Sequence, residues 1–290
     1  MAMRSILVPW WGGSTATAQL DAALCVARHV QAHLEVVFIK PTLADLATMI
    51  GSVANVPSAL LQQMENGVQA DSRSARAAFE EWRERENVPG QMVVMQVRVP
   101  FARWSERDGL PEQVILSKGR LTDLTVLRFT PASGALGRPI DAAIFETGRP
   151  VLLVPDHVNR ALLNHVLLAW NGSLHSTRAF IGAMPLLRAA ERVTVLTTKD
   201  LGPDFAGQVG GTDQDLVDAL SWHGIEAHHH ILDPGTSAVE PALLQSAEDL
   251  KATLLVMGAF THSRVAAASL GGVTKHLFRN PPNIAVLLAH

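Results

Sequence analysis

Short apolar runs, most without strict alternation, recur along the chain. They fall at Ser5 to Pro9, His33 to Ile39, Gln91 to Val99, Leu124 to Arg128 and Val151 to Val154, then at Val166 to Trp170, Val193 to Thr198, Ala227 to Leu232, Thr253 to Gly258 and Ile284 to Leu288. Runs of this length that are apolar on both faces suit parallel strands covered from two sides. Between them apolar residues return at helical spacing, as in "HSTRAFIGAMPLLRAA" and "SAVEPALLQSAEDLKA". Thr236 or Ser237 is placed to cap the second of these, with Glu240 set for a capping box. Strand and helix in alternation predict a doubly wound α/β sheet with right-handed crossovers, whose ligands bind beyond the carboxyl ends of the strands.

The pattern occurs twice. "SILVPWWGGSTATAQLDAALCVA" (5–27) matches "HVLLAWNGSLHSTRAFIGAMPLL" (165–187), each a strand, a turn carrying tryptophan and an apolar helix. The tails match as well, "DLTVLRF" with "FETGRPVLLVPD" against "ATLLVMGAF" with "FRNPPNIAVLLAH", about 134 residues apart. Internal similarity at that separation predicts two homologous doubly wound domains, 1–156 and 165–290. Each is expected to hold a five-stranded, mainly parallel open sheet with helices on both faces. The first repeat carries an insertion after Lys40, read as a helical hairpin packed on the sheet, with "FEEWRERE" as its solvated, charge-rich end.

Composition narrows the function classes. A net charge of −3, from 24 basic and 27 acidic residues, provides no field for nucleic acid or an anionic membrane. One cysteine, Cys25, excludes a disulfide framework or a cysteine-rich zinc site, and it falls on an apolar helix face as a core thiol. No stretch reaches the roughly 18 apolar residues of a membrane span, and the amino terminus lacks a signal-peptide core. The expectation is a cytoplasmic protein.

The chemistry concentrates in "MGAFTHSRVAAASLGGVTKHLF" (257–278). Gly258 ends a strand and leaves its backbone open to a ribose or base. Gly271 and Gly272 precede a helix whose first amides face an anion. Thr261, Ser263 and Thr274 add hydroxyls, and Arg264 and Lys275 add charge.

This loop, the strand-end "AWNGS" and the order of elements resemble the universal stress protein family in its tandem two-domain form, over nearly the whole chain. Nucleotide-binding members carry a G-x2-G-x9-G-[S/T] loop. Gly258 and Gly271 match its first and third glycines, Thr261 stands at the second, and Gly272 replaces the hydroxyl residue. Where such members place an aspartate after the first strand, this chain has Asn171, which keeps an acceptor and adds a donor.

The resemblance implies an adenine-nucleotide site, for ATP or AMP, in the second domain. It would be formed by Trp170, Asn171, Gly172, Thr198, Met257, Gly258, Thr261, His262, Ser263, Gly271, Gly272, Val273 and Thr274, with magnesium only as the nucleotide's companion. Members of the family also pair through their last strands, so "PVLLVP" and "AVLLAH" are expected to join inside this chain. Homodimerisation and an unidentified regulatory partner stay open.

The first repeat departs further. Arg128 stands in place of Gly258, and Gly137 follows it after nine residues where Gly271 follows Gly258 after thirteen. Trp11 replaces the aspartate and is expected to fill the adenine space. That domain is expected not to bind nucleotide, with Arg128 in an ion pair.

Other candidates are weaker. His228 and His230 share a strand face as feasible metal ligands, but no cysteine or carboxylate set accompanies them or His223. Ser14, Ser173 and Ser263 lie in no nucleophile elbow, and no Walker lysine or positioned general base appears. The expected function is a non-enzymatic stress-response regulator, with at most slow nucleotide hydrolysis. The alternative is a structural or interaction protein acting through its paired domains without nucleotide.

Overall fold

The computed structural model describes residues 2–13, 16–49, 57–91, 100–129, 137–157, 160–198, 213–235, 238–259 and 272–290. The first half runs β1 (Ser5–Trp11), α1 (Thr17–Val30), β2 (His33–Lys40), α2 (Leu43–Met49), α3 (Ser58–Arg85), β3 (Ala102–Asp108), α4 (Pro111–Gly119), β4 (Leu124–Arg128), α5 (Arg138–Asp141) and β5 (Val151–Val154). The second runs β6 (Val166–Ala169), α6 (Leu174–Ala189), β7 (Val193–Thr198), α7 (Asp213–Trp222), β8 (Ala227–Leu232), α8 (Val239–Asp249), β9 (Leu254–Gly258), α9 (Gly272–Arg279) and β10 (Ala285–Ala289).

One ten-stranded sheet contains both halves, in the order β3-β2-β1-β4-β5-β10-β9-β6-β7-β8. Every pairing is parallel except β5 with β10, where Val151 faces Leu288 and Leu153 faces Val286. The apolar last strands thus cover each other's edges, as the sequence led one to expect, and remove two exposed ladders.

The helices divide between the two faces. On one, α1, α3, α6 and α7 cover a core that includes Leu20, Phe79, Ala183 and Leu220. On the other, α4, α5, α8 and α9 cover Ile115, Ile144, Leu243 and Leu277. Both cores run across the β5–β10 join, and Phe129 meets Phe278 edge-on at 5.9 Å between the halves. Each fully buried large apolar side chain contributes roughly 1.5–3 kcal/mol, so this shared core is a substantial tie.

The third strand departs from expectation. The strand paired with β2 is Ala102–Asp108, "ARWSERD"; the apolar run expected there, Gln91 to Val99, lies from 92 onward outside the described residues. An edge strand needs only one covered side and gains by carrying charge, which discourages pairing with another chain. Lys40 bridges Glu106 at 2.9 Å and Asp108 at 3.7 Å along this edge. The insertion forms α2 and α3, which pack on each other. Its end is less solvated than "FEEWRERE" suggested: Phe79 and Trp82 are buried, and the Trp82 indole donates to Asp21 on α1 at 2.9 Å.

Candidate functional site

In the second half, β6 lies between β7 and β9, and the chain leaves it in one direction and returns on the other side. The carboxyl ends of these strands form the topological switch point where open α/β sheets bind ligands. Trp170 follows β6, donates its backbone N–H to the Leu196 carbonyl at 2.8 Å and sets its indole edge-on to Phe180 of α6. The Asn171 side-chain Oδ1 accepts the Ser173 backbone N–H at 3.2 Å, an Asx turn completed by Gly172 at φ +71°. Ser173 then caps α6, its hydroxyl accepting the Ser176 N–H at 3.1 Å. The side-chain acceptor expected to meet a base is therefore already engaged by the turn.

Gly258 is needed for a reason the sequence did not disclose. A Cβ there would lie 2.7 Å from both the His175 carbonyl carbon and the Ser176 nitrogen. The first turn of α6 rests against this strand end, so the missing side chain admits a helix as well as any ligand. Met257 turns its side chain into the opposite core, which leaves only its backbone for a ligand. Thr198 is half-buried at the end of β7.

On the α9 side, Gly272 is exposed, Val273 half-buried and Thr274 buried. A Cβ on Gly272 would coincide with the carboxylate of Glu240 on α8, so an acidic side chain already stands against the amino end of α9, where the helix dipole favours it. Glu240 was expected in a capping box. Instead α8 starts after Ala238 with no side-chain cap, and Thr236 and Ser237 lie outside the described residues. Thr261, His262, Ser263 and Gly271 also lie outside them.

Two residues that sequence reasoning missed flank Gly258. His175 stacks on His290 with ring centroids 4.5 Å apart, and His290 meets Phe145 edge-on at 4.9 Å while its Nδ1 lies 2.9 Å from the Ala259 carbonyl. Burial, aided by the charges of His290 and Arg178, holds the His175 pKa down at about 4. Nothing in the local sequence marks either residue, because their partners are far away along the chain.

The first half narrows the equivalent place. Arg128 pairs with Asp156 at 3.4 Å, the ion-pair role expected of it. Trp10, not Trp11, is the buried indole, edge-on to Trp104 at 6.0 Å. Trp11 lines, without filling, a cleft of about 220 Å³ shared with Gln19, Arg128 and Gly137. That is smaller than the roughly 300 Å³ at which ligand pockets usually begin. Nearby in α5, burial and then the charge of Glu146 push Asp141 up to about 6. The shortened loop at 130–136 lies outside the described residues.

Elsewhere, His228, His229 and His230 are exposed on the edge strand β8, with His229 Nε2 2.9 Å from the Thr197 hydroxyl. Among the described residues no three histidine, cysteine, aspartate or glutamate side chains come together as a metal site. Cys25 is half-buried, burial raises its thiol pKa, and it donates to the Arg160 carbonyl at 3.3 Å, which suits a packing thiol. No helix among the described residues is long and apolar enough to cross a membrane.

No family model and no curated relative matches the sequence. Solved structures do match. A universal stress protein from Archaeoglobus fulgidus DSM 4304 superposes with a TM-score of 0.68 at 17% identity, covering 98% of this chain and 95% of that one. This chain has the tandem universal stress fold. A putative universal stress protein from Pseudomonas aeruginosa UCBPP-PA14 gives a TM-score of 0.57 at 15% identity, over 99% of this chain and 93% of that one. A functionally unknown protein from P. aeruginosa PAO1 gives the same TM-score and identity, over 99% and 92%. Coverage of both chains nearly end to end means that the universal stress fold here includes the join between halves, not one half alone.

Proposed function

We propose that this chain is a non-enzymatic stress-response regulator of two domains, 1–156 and 165–290, that binds one adenine nucleotide, ATP or AMP, in the second. The contrast between the two strand-end turns supports the reading. Asn171, Gly258 and Gly272 keep the second turn small and polar, where the first has Trp11 and the Arg128–Asp156 pair. Magnesium enters only with the nucleotide. A cytoplasmic setting, a regulatory protein partner and a homodimer belong to the same reading.

The Glu240 carboxylate against Gly272 favours a second reading, a nucleotide-free interaction protein acting through its joined halves. Isothermal titration separates the two. Heat with ATP or AMP and one site per chain supports the first; no heat from either, with folded protein, overturns it. Glu240→Gln is expected to tighten ATP by up to about fivefold and leave adenosine unchanged, since it removes a charge beside the helix amino end.

A further inference from the structure

Where the amino end of β5 meets the carboxyl end of β10, α6 stands over a cleft of about 610 Å³. Its walls are largely apolar and come from both halves: Phe145 and Pro150 from the first, Ile181, Pro185 and Ala289 from the second, with His290 at the carboxyl end of β10. The halves approach closely here, since a Cβ on Gly182 would lie 3.2 Å from the Pro150 ring. Ile181 is 62% exposed, although α6 buries Ala179 and Ala183 on either side of it, so a large apolar side chain faces the opening.

Two arginines line the same cleft, Arg149 on the loop before β5 and Arg178 on α6, and neither forms an ion pair with a carboxylate among the described residues. Of the acidic residues in the lining, Asp123 is already occupied, accepting the Arg4 N–H at 2.8 Å, the Ser5 N–H at 3.1 Å and the Ser5 hydroxyl at 3.1 Å. Glu146 is exposed at the rim.

We propose that this cleft binds a small amphipathic carboxylate, its apolar body against Phe145, Ile181 and Pro185 and its anionic head between Arg149 and Arg178. The volume lies within the roughly 300–1,000 Å³ of small-molecule sites, and an apolar lining with a few polar anchors is their usual make-up. A planar guanidinium fork matches a carboxylate better than a lysine would. Because the wall is contributed by both repeats, the site exists only in the joined chain. It adjoins the strand-end site through His290, which lines the cleft and stacks on His175, but uses none of the residues proposed there to hold nucleotide.

The test is titration of the full chain with hexanoate, octanoate and decanoate, and with decylamine as the cationic counterpart. Affinity is expected to rise about tenfold for each added pair of methylenes. The double variant Arg149→Gln, Arg178→Gln is expected to weaken decanoate at least about tenfold. Ile181→Glu is expected to abolish binding while the melting temperature stays at the wild-type value, since the side chain is exposed. No binding of decanoate at millimolar concentration, equal binding of decylamine, or unchanged affinity in the arginine variant would overturn the proposal.

Discussion

The turns after β1 and β6 begin alike and then diverge. Gly12 and Gly172 both take left-handed conformations, at φ +66° and +71°. In the aligned repeats Thr17 corresponds to Thr177, yet α1 starts at Thr17 and α6 starts at Leu174, three residues earlier. The Ser173 cap holds that extra turn, whereas α1 has no side-chain cap. The extra turn rests on Gly258. Without it, the first half accommodates Arg128 in the same place and sends the side chain to Asp156. A glycine and a helix start are thus one feature, and losing either in the first repeat removes the need for the other. Part of what looks like a ligand-loop glycine is a packing requirement between strand and helix.

Gly258→Val should strike this difference hardest. Its new atoms meet backbone that cannot rotate away, so a loss of about 3 kcal/mol is expected, at the upper end of the range for overpacking. Arg128→Val should cost under about 1 kcal/mol, as for a largely exposed ion pair. Urea unfolding of both variants measures the gap, and equal losses would break the comparison. Next in size is Ser173→Ala, expected to cost about 1 kcal/mol as a lost helix cap, by the same measurement.

The smallest effect at neutral pH comes from His175. Burial holds its imidazole at a folded pKa of about 4, against the ordinary 6.5. Between those values the unfolded chain takes up a proton that the folded chain refuses, so the stabilising contribution is present in full above about pH 6.5 and is lost as pH falls toward 4. His165 acts in the same direction, its pKa lowered by burial while it spans the Leu250 carbonyl and the Thr194 hydroxyl. His175→Phe keeps a ring beside His290 and should flatten the fall of melting temperature between pH 6.5 and 4 without changing it at pH 7.5. An unaltered slope would place the acid sensitivity elsewhere.

Much of the architecture was legible because buried parallel strands write themselves as apolar runs. Val193–Thr198 and Ala227–Leu232 appear with the bounds expected of them. The join of β5 to β10 was expected only through the family resemblance, whose members pair through their last strands. The strand at Ala102–Asp108 was hidden because an edge strand alternates charge with half-covered residues and so lacks the apolar signature. At the candidate site, Gly258 was visible as a glycine, but its neighbour, the backbone of α6, is not a matter of local pattern. Glu240 beside Gly272 was equally invisible, since the two meet only when α8 packs on α9.

The antiparallel β5–β10 ladder carries a consequence for how the molecule tolerates dilution. Two separate subunits meeting along such a ladder would come apart as their concentration fell. Here the connection between β5 and β6 holds the partner at an effective concentration that for short linkers is in the millimolar range, whatever the amount of protein in solution. One repeat cannot exchange its companion for another, and each companion is free to specialise without supplying a copy of itself to the other.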